Sequence, residues 1–455
     1  MFFGRVKELE ELERRYSGNR KEFGVIYGRR RIGKSALVRH FFDGKKGVFF
    51  QAKQDTSYGN LKSFSYELNK LLRLPASFVY SGWQEAFDAL LQAAGNERFL
   101  FIIDEYPYIV SQDQAFPSVL QEFVDHAPEN IFTIILGSDV PFLKRELEDQ
   151  KAPLYKRKTF EMRIGRLLFD EALLFLEGMP AEEKCAYLSL MSSYPYYLAA
   201  VDPKESFSEN LERLLFNEFG TFYNLPDQVL SNSTKVQDVY NAILRSAAHR
   251  HYSLKDISLD IHEESSKVSK YISTLLKSEI LEKRSTFMGN KNSHYYVIAD
   301  PMLRFWYLFV YDRQELIRIN GKRVLSDLSA PIREFLDKGF EDTALLFLDQ
   351  ENRRGKLPGV FPEIQNFRAD KTSLGRSVEI DGLSRSGDVL LVVECKYRNK
   401  AFSSAMLEHL KESTSIFAEK LHREYYLFSK SGFSDDMEHG DNIHEYTLED
   451  LFQEK

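Results

Sequence analysis

Cysteine is nearly missing from this chain, with two residues in 455, Cys185 and Cys395, far apart in sequence. That excludes a disulfide framework or a cysteine-built zinc site and makes a reducing cytoplasm the expected compartment. Long apolar runs are missing too. No uninterrupted stretch approaches the ~20 residues needed to span a bilayer, so no membrane partner is expected. The opening MFFGRVKELEELERRY turns charged within a few residues and has no apolar signal core. Positive charge is not in excess: the formal net charge of −7 excludes a basic nucleic-acid coat and leaves DNA contact to local patches. What the chain holds in quantity is apolar and aromatic side chains. Hydrophobic residues make up 43% and aromatics 14%, ample for the cores of the roughly three domains that the length suggests.

Residues 1–165 alternate strand and helix signals, the pattern of a parallel sheet covered by helices. FGVIYG (23–28), GVFFQA (47–52), FLFIID (99–104) and FTIILG (132–137) read as buried strands. Residues 166–232 turn helical and fit a lid. Residues 233–310 read differently. Ser253 caps a short helix, HEES turns, and SKVSKYISTLLKSEI runs as a longer helix with Val268, Ile272, Leu275 and Leu276 on one face. Two strands joined by MGNKN complete a winged helix-turn-helix pattern. Residues 311–333 read as a linker, and 334–455 as an α+β domain.

The chemistry is concentrated at Gly28-Arg29-Arg30-Arg31-Ile32-Gly33-Lys34-Ser35, which matches G-x-x-x-x-G-K-[ST] in full. It follows an apolar strand and opens a helix, the context the mechanism requires. The glycines let backbone N–H groups turn toward phosphates at a helix amino terminus, which Ala36 continues. Lys34 would reach the β- and γ-phosphates of ATP and Ser35 would coordinate Mg²⁺. FLFIIDEY supplies the second part: Asp104 as a metal-side acid and Glu105 placed to polarise the attacking water. Ser138, ending FTIILGS, reads equally as a γ-phosphate sensor or a strand-to-loop cap. Arg157 reads as an arginine finger acting across a subunit contact or as a solvated cation.

FFGRVKELEEL, GRRRIGKS, FLFIIDEY, IILGS, APLYKR and SSYPYYL, in this order, resemble the archaeal-type ATPases of the STAND branch of P-loop NTPases, related to AAA+ proteins. The resemblance covers residues 1 to about 310. It implies that Phe3, Gly4 and Arg5 lie near the nucleotide base and that Pro195 marks the lid's nucleotide-facing turn. Ser193-Tyr194 stands where the family often has Gly-Gly, which leaves the lid's contact with nucleotide open.

Two further surfaces bear on partners. Lys267, Lys270, Thr274 and Lys277 lie opposite the apolar face of their helix, able to meet phosphates of double-stranded DNA. Nearby Glu263, Glu264, Glu279 and Glu282 dilute that field, and a protein contact fits the face equally well. In the tail, period-two alternation puts Glu379 with Asp381, and Glu394 with Lys396, on single strand faces. If the register aligns them, Asp381 and Glu394 hold Mg²⁺, Lys396 sits beside the attacking water, and Glu341 adds a third acid. This resembles the PD-(D/E)xK, restriction-endonuclease-like fold, which also occurs as the tail of many archaeal-type ATPases. The expectation is an ATP-driven switch coupled to DNA binding or metal-dependent DNA cleavage. Its alternative is a nucleotide-dependent regulator whose inactive tail binds a protein partner, or a self-assembling scaffold.

Overall fold

Five short segments of the first third are strands, with apolar side chains pointing to both faces of the central ones. They are β1 (Glu22–Tyr27), β2 (Gly47–Gln51), β3 (Phe99–Asp104), β4 (Ile131–Gly137) and β5 (Phe160–Arg163). In β1, β3 and β4 every residue is buried, as expected of a parallel sheet covered on both faces. The order is β2-β3-β4-β1-β5, all parallel. β5 is a strand that the sequence reading left out: it is a short edge strand, and Glu161 and Arg163 broke its apolar signal. Gly24 of β1 makes room for it, since a Cβ there would lie 2.0 Å from the Phe160 ring. The computed structural model describes residues 2–230, 237–249, 253–285, 287, 294–370, 372–418 and 420–453. They form two units, divided after Leu167.

The first unit carries a core of tilted and edge-to-face aromatics, including Phe50, Phe64, Trp83, Phe87 and Phe101, between the sheet and the helices Ser57–Leu72 and Trp83–Ala94. All five strands end at one edge. In open α/β sheets ligands bind in the crevice beyond that carboxyl edge.

In the second unit the helical stretch read as a lid and the tail read as a separate domain share one core. The helix Ala181–Met191 is buried from Lys184 to Met191 except at Ala186, so it shows no amphipathic stripe. It packs against the long helix Ser329–Arg353, where Gly339 allows close approach: a Cβ there would lie 2.6 Å from that of Ser189. The aromatic helix Pro301–Phe309 is anchored by Asp300, which accepts from the Met302 and Leu303 N–H groups and from the Tyr197 hydroxyl at 2.7 Å.

Residues 311–333, expected to be a linker, are almost wholly helical. The helix Gln314–Asp327 breaks at Asn320, whose side chain caps the second half through the Arg323 N–H at 3.0 Å. The Asn-Gly pair that marks a turn in sequence therefore acts as a helix restart.

Helices Gln237–Ala248, Leu254–Asp260 and Ser265–Lys277 precede an antiparallel pair, β6 (Leu281–Ser285) and β7 (His294–Ile298). Ser253 caps its helix in a capping box with Asp256. Of the four residues expected on one buried face, Val268, Ile272 and Leu275 are buried, whereas Leu276, at the face's margin, is half-buried. The MGNKN turn lies outside the described residues. The last sheet is mixed: β8 (Gln365–Ala369), β9 (Val378–Ser386), β10 (Val389–Lys396), β11 (His422–Ser429) and β12 (Ile443–Thr447), in the order β12-β11-β10-β9-β8. β8, β9 and β10 run antiparallel and β10, β11 and β12 parallel, the helix Ser404–Thr414 making the crossover. No helix among the described residues is long and apolar enough to cross a membrane.

Candidate active site

The phosphate loop leaves β1 in backbone conformations that L side chains rarely adopt. Gly28 has φ 158°, Arg31 φ 68° and Gly33 φ 91°, and a Cβ on Gly28 would lie 2.3 Å from the Ile164 carbonyl oxygen. Both glycines are therefore required by geometry. The helix Lys34–Phe42 starts at once, so its unpaired N–H groups face the loop's interior. Lys34 is 5% exposed. Its ammonium donates to the Gly28 and Arg29 carbonyls at 2.9 and 2.8 Å. Burial pushes its pKa down to about 8, against the opposing pull of Glu105 and Asp104.

Asp104 ends β3 fully buried, and neither of its carboxylate oxygens has a well-formed hydrogen bond. Burial raises its pKa, and the Ser35 hydroxyl and the Lys34 ammonium draw it back. A carboxylate so placed costs several kcal/mol unless a cation joins it. Its oxygens beside a serine hydroxyl match the hard oxygen donors that Mg²⁺ takes. The next residue, Glu105, is held at φ 56°, a strained conformation for a side chain this long. The Ser138 hydroxyl reaches both of its carboxylate oxygens at 3.2 Å. The ends of β1, β3 and β4 thus bring Lys34, Ser35, Asp104, Glu105 and Ser138 to one place.

Residues 2–201 match the family model of an ATPase domain found predominantly in Archaea. Residues 2–201 are thus similar to an archaeal-type P-loop ATPase domain. A second model, of archaeal and bacterial proteins of unknown function, matches residues 306–410. An uncharacterized protein of Methanocaldococcus jannaschii is 25% identical over 96% of this chain and 94% of its own. An uncharacterized ATP-binding protein of the same organism is 46% identical over 46 residues, 10% of this chain and 78% of that protein. Among solved structures, the Walker-type ATPase PABY2304 of Pyrococcus abyssi shares the fold with TM-score 0.54 at 18% identity, covering 68% of this chain and 96% of that one.

Other residues singled out in the sequence fall elsewhere in the chain. Arg157 precedes β5 at the amino edge of the sheet, about one strand length, ~17 Å, from the phosphate loop. Its guanidinium is paired with Asp125 at 2.8 Å and donates to the Pro153 and Tyr155 carbonyls. Within the chain it is not a member of the site. Arg30 reaches the Tyr108 hydroxyl at 3.4 Å. Gly4 and Arg5 both have positive φ, and Arg5 turns its guanidinium to backbone carbonyls rather than outward. The ring of Phe2, next to Phe3, stacks on His40 at 4.5 Å and lines a groove of about 680 Å³ with Ala36, Arg39 and Phe49. Pro195 opens the helix Pro195–Leu198 in the second unit. Lys267, Lys270, Thr274 and Lys277 are exposed as expected, with Lys267 tied to Glu263 at 2.6 Å.

The tail brings its charged residues together. β9 and β10 pair through Gly382 and Val393, and the next residues outward are Asp381 and Glu394. Asp381 accepts the Cys395 N–H at 2.8 Å, and the Lys396 ammonium contacts the Glu394 carboxylate. Burial and then Asp381 push Glu394 up to about 7. Glu341, on the long helix, is exposed as a residue, yet its carboxyl rises to about 8 through burial and then Asp381. Asp381 itself is raised by burial. Burial opposes the charge on Lys396, but Glu394 and Asp381 outweigh it and raise its pKa. Glu341 and Lys396 line a cavity of about 240 Å³ with Asp337, Tyr397 and Arg398. Asp337 and Arg398 carry no motif in sequence, and only the fold places them there. Cys395 is buried.

Proposed function

We propose that the protein is an ATP-hydrolysing switch whose tail acts on DNA through a divalent cation. The observation that carries the ATPase part is Asp104, a buried carboxylate with no well-formed hydrogen bond, near the Ser35 hydroxyl and the Lys34 ammonium. Mg²⁺ held by Ser35 and Asp104 would bridge phosphate oxygens and neutralise charge that builds up during transfer. Lys34 would exchange two loop carbonyls for the β- and γ-phosphates. Glu105, steadied by Ser138, would orient the attacking water and receive its proton. The aromatic groove that Phe2 lines with Ala36 and Phe49 offers a face for the base, with Phe3 and Gly4 next to Phe2 in the chain.

In the tail, the sheet order, the preceding helix with Glu341 and the Asp381/Glu394/Lys396 set support a restriction-endonuclease-like reading. A cation held by Asp381 and Glu394 would activate water and polarise a phosphodiester. Lys396 would stabilise charge on the phosphate, and the helix Ser265–Lys277, read as part of a winged helix, would grip the duplex. One observation favours the rival, a regulator with an inactive tail. Among the described residues no three His, Cys, Asp or Glu side chains converge as a ready metal cluster. Mg²⁺ sites commonly use one or two carboxylates plus substrate phosphate and water, which the Asp381–Glu394 pair suits.

The test is incubation of supercoiled plasmid with Mg²⁺ or Mn²⁺, with and without ATP. Cutting by wild type and not by Asp381→Ala is expected. No cutting in any condition, with nucleotide binding intact, would establish the regulator reading instead.

A further inference from the structure

Arg5 turns its guanidinium to the backbone around the phosphate loop and not to a nucleotide-facing surface. It is 3% exposed, a charged group shut into the first unit. One guanidinium nitrogen donates to the Ile32 carbonyl at 2.9 Å and the Gly165 carbonyl at 2.6 Å. The other reaches the Arg166 carbonyl at 3.4 Å and pairs with Glu8 at 3.1 Å. Ile32 lies inside the phosphate loop. Gly165 and Arg166 lie in the segment through which the chain leaves the first unit at Leu167. The other end of the loop touches the same segment, because Gly28 packs against the Ile164 carbonyl and the Ile164 N–H donates to Tyr27 at 2.7 Å.

We infer that Arg5 is a positioning residue that couples the phosphate loop to the exit segment 164–167, so that nucleotide held by the loop fixes the course of the chain into the second unit. The physical reason is the fork of the guanidinium. It bonds two peptide segments at once, and a planar, always-charged group tolerates little rotation before one bond is lost. Gly4 and Arg5, at φ 72° and 62°, hold the fork in place from a backbone that few residues adopt. A loop that closes around phosphates moves the Ile32 carbonyl, and the shared nitrogen carries that movement to Gly165. Local opening of the exit segment then becomes nucleotide-dependent.

The inference rests on nucleotide occupying the loop, so binding is measured separately. The experiment is amide hydrogen exchange on the full chain, with and without a non-hydrolysable ATP analogue and Mg²⁺, in wild type, Arg5→Lys and Arg5→Gln. Calorimetry gives the analogue's affinity for each protein. In wild type, exchange at residues 164–168 should slow about tenfold on binding. Arg5→Lys keeps the charge and loses the fork; it should bind the analogue within about threefold of wild type and lose that slowing. An equal response in Arg5→Lys, or no response in wild type with analogue bound, would overturn the inference. The wild-type comparison stands even if a variant fails to fold. Failure of wild type to bind the analogue would sink the ATPase reading along with it.

Discussion

At the scale of the residue, the phosphate site is a set of buried charges awaiting a ligand. Lys34 is the clearest case. Burial pushes its pKa down to about 8, whereas bound phosphates favour its charged form. Above pH ~8 the free protein loses that proton and must take it up again to bind. ATP affinity measured by calorimetry should therefore hold below that pH and fall by up to about tenfold per unit above it. Ser138 makes a neutral-to-charged hydrogen bond to Glu105 in the resting site. Its removal in Ser138→Ala should lower kcat about tenfold and leave KM within about twofold, as for loss of one bond worth ~1.5 kcal/mol. The loop, Asp104 and Glu105 were legible in sequence because each sits where a strand signal ends. The role of Arg5 was not. Its partners lie 27 and 160 residues away, and nothing local marks a guanidinium that bonds carbonyls.

At the scale of the element, strands with an apolar run were readable, the edge strand β2 among them, and short edges with little apolar signal were not. β5, β8 and β12 were all left out, the first and second at sheet edges with exposed or charged residues that break alternation, the third a half-buried edge. The helices of 311–333 were hidden for a different reason: Asn320-Gly321 carries a strong turn signal, yet the chain spends it on a helix cap. Asn320→Ala should lower stability by about 1 kcal/mol, the ordinary worth of such a cap, read as a shift in the denaturant midpoint. The contact of Gly339 with Ser189 makes a sharper demand. Gly339→Ala would force two buried helices apart and should cost about 1–3 kcal/mol, with a matching fall in Tm. A neutral Gly339→Ala would mean that the helices are not held at this distance in solution.

At the scale of the whole molecule, the unit that holds the phosphate loop is followed in the chain by a second unit in which helices 181–191 and 329–353 join the lid-like stretch to the tail. The sequence divided that second unit into pieces because the joining helix 181–191 is buried on nearly every side from Lys184 onward, so its pattern shows no single face turned to a neighbour. The tail's charged set was legible from period-two spacing alone, whereas Asp337 and Arg398 beside it were not. Both cysteines are buried, and burial pushes Cys185 up to about 12 and Cys395 well above its ordinary value. A thiol reagent at pH 8 should therefore label neither in the folded chain and both after denaturation. The central claim is that Glu105 activates water for a nucleotide cradled by Lys34, and phosphate release by wild type and Glu105→Gln tests it most directly. Glu105→Gln should bind ATP as wild type does while turnover falls by roughly 10²–10³-fold. Turnover by Glu105→Gln equal to that of wild type would contradict the account.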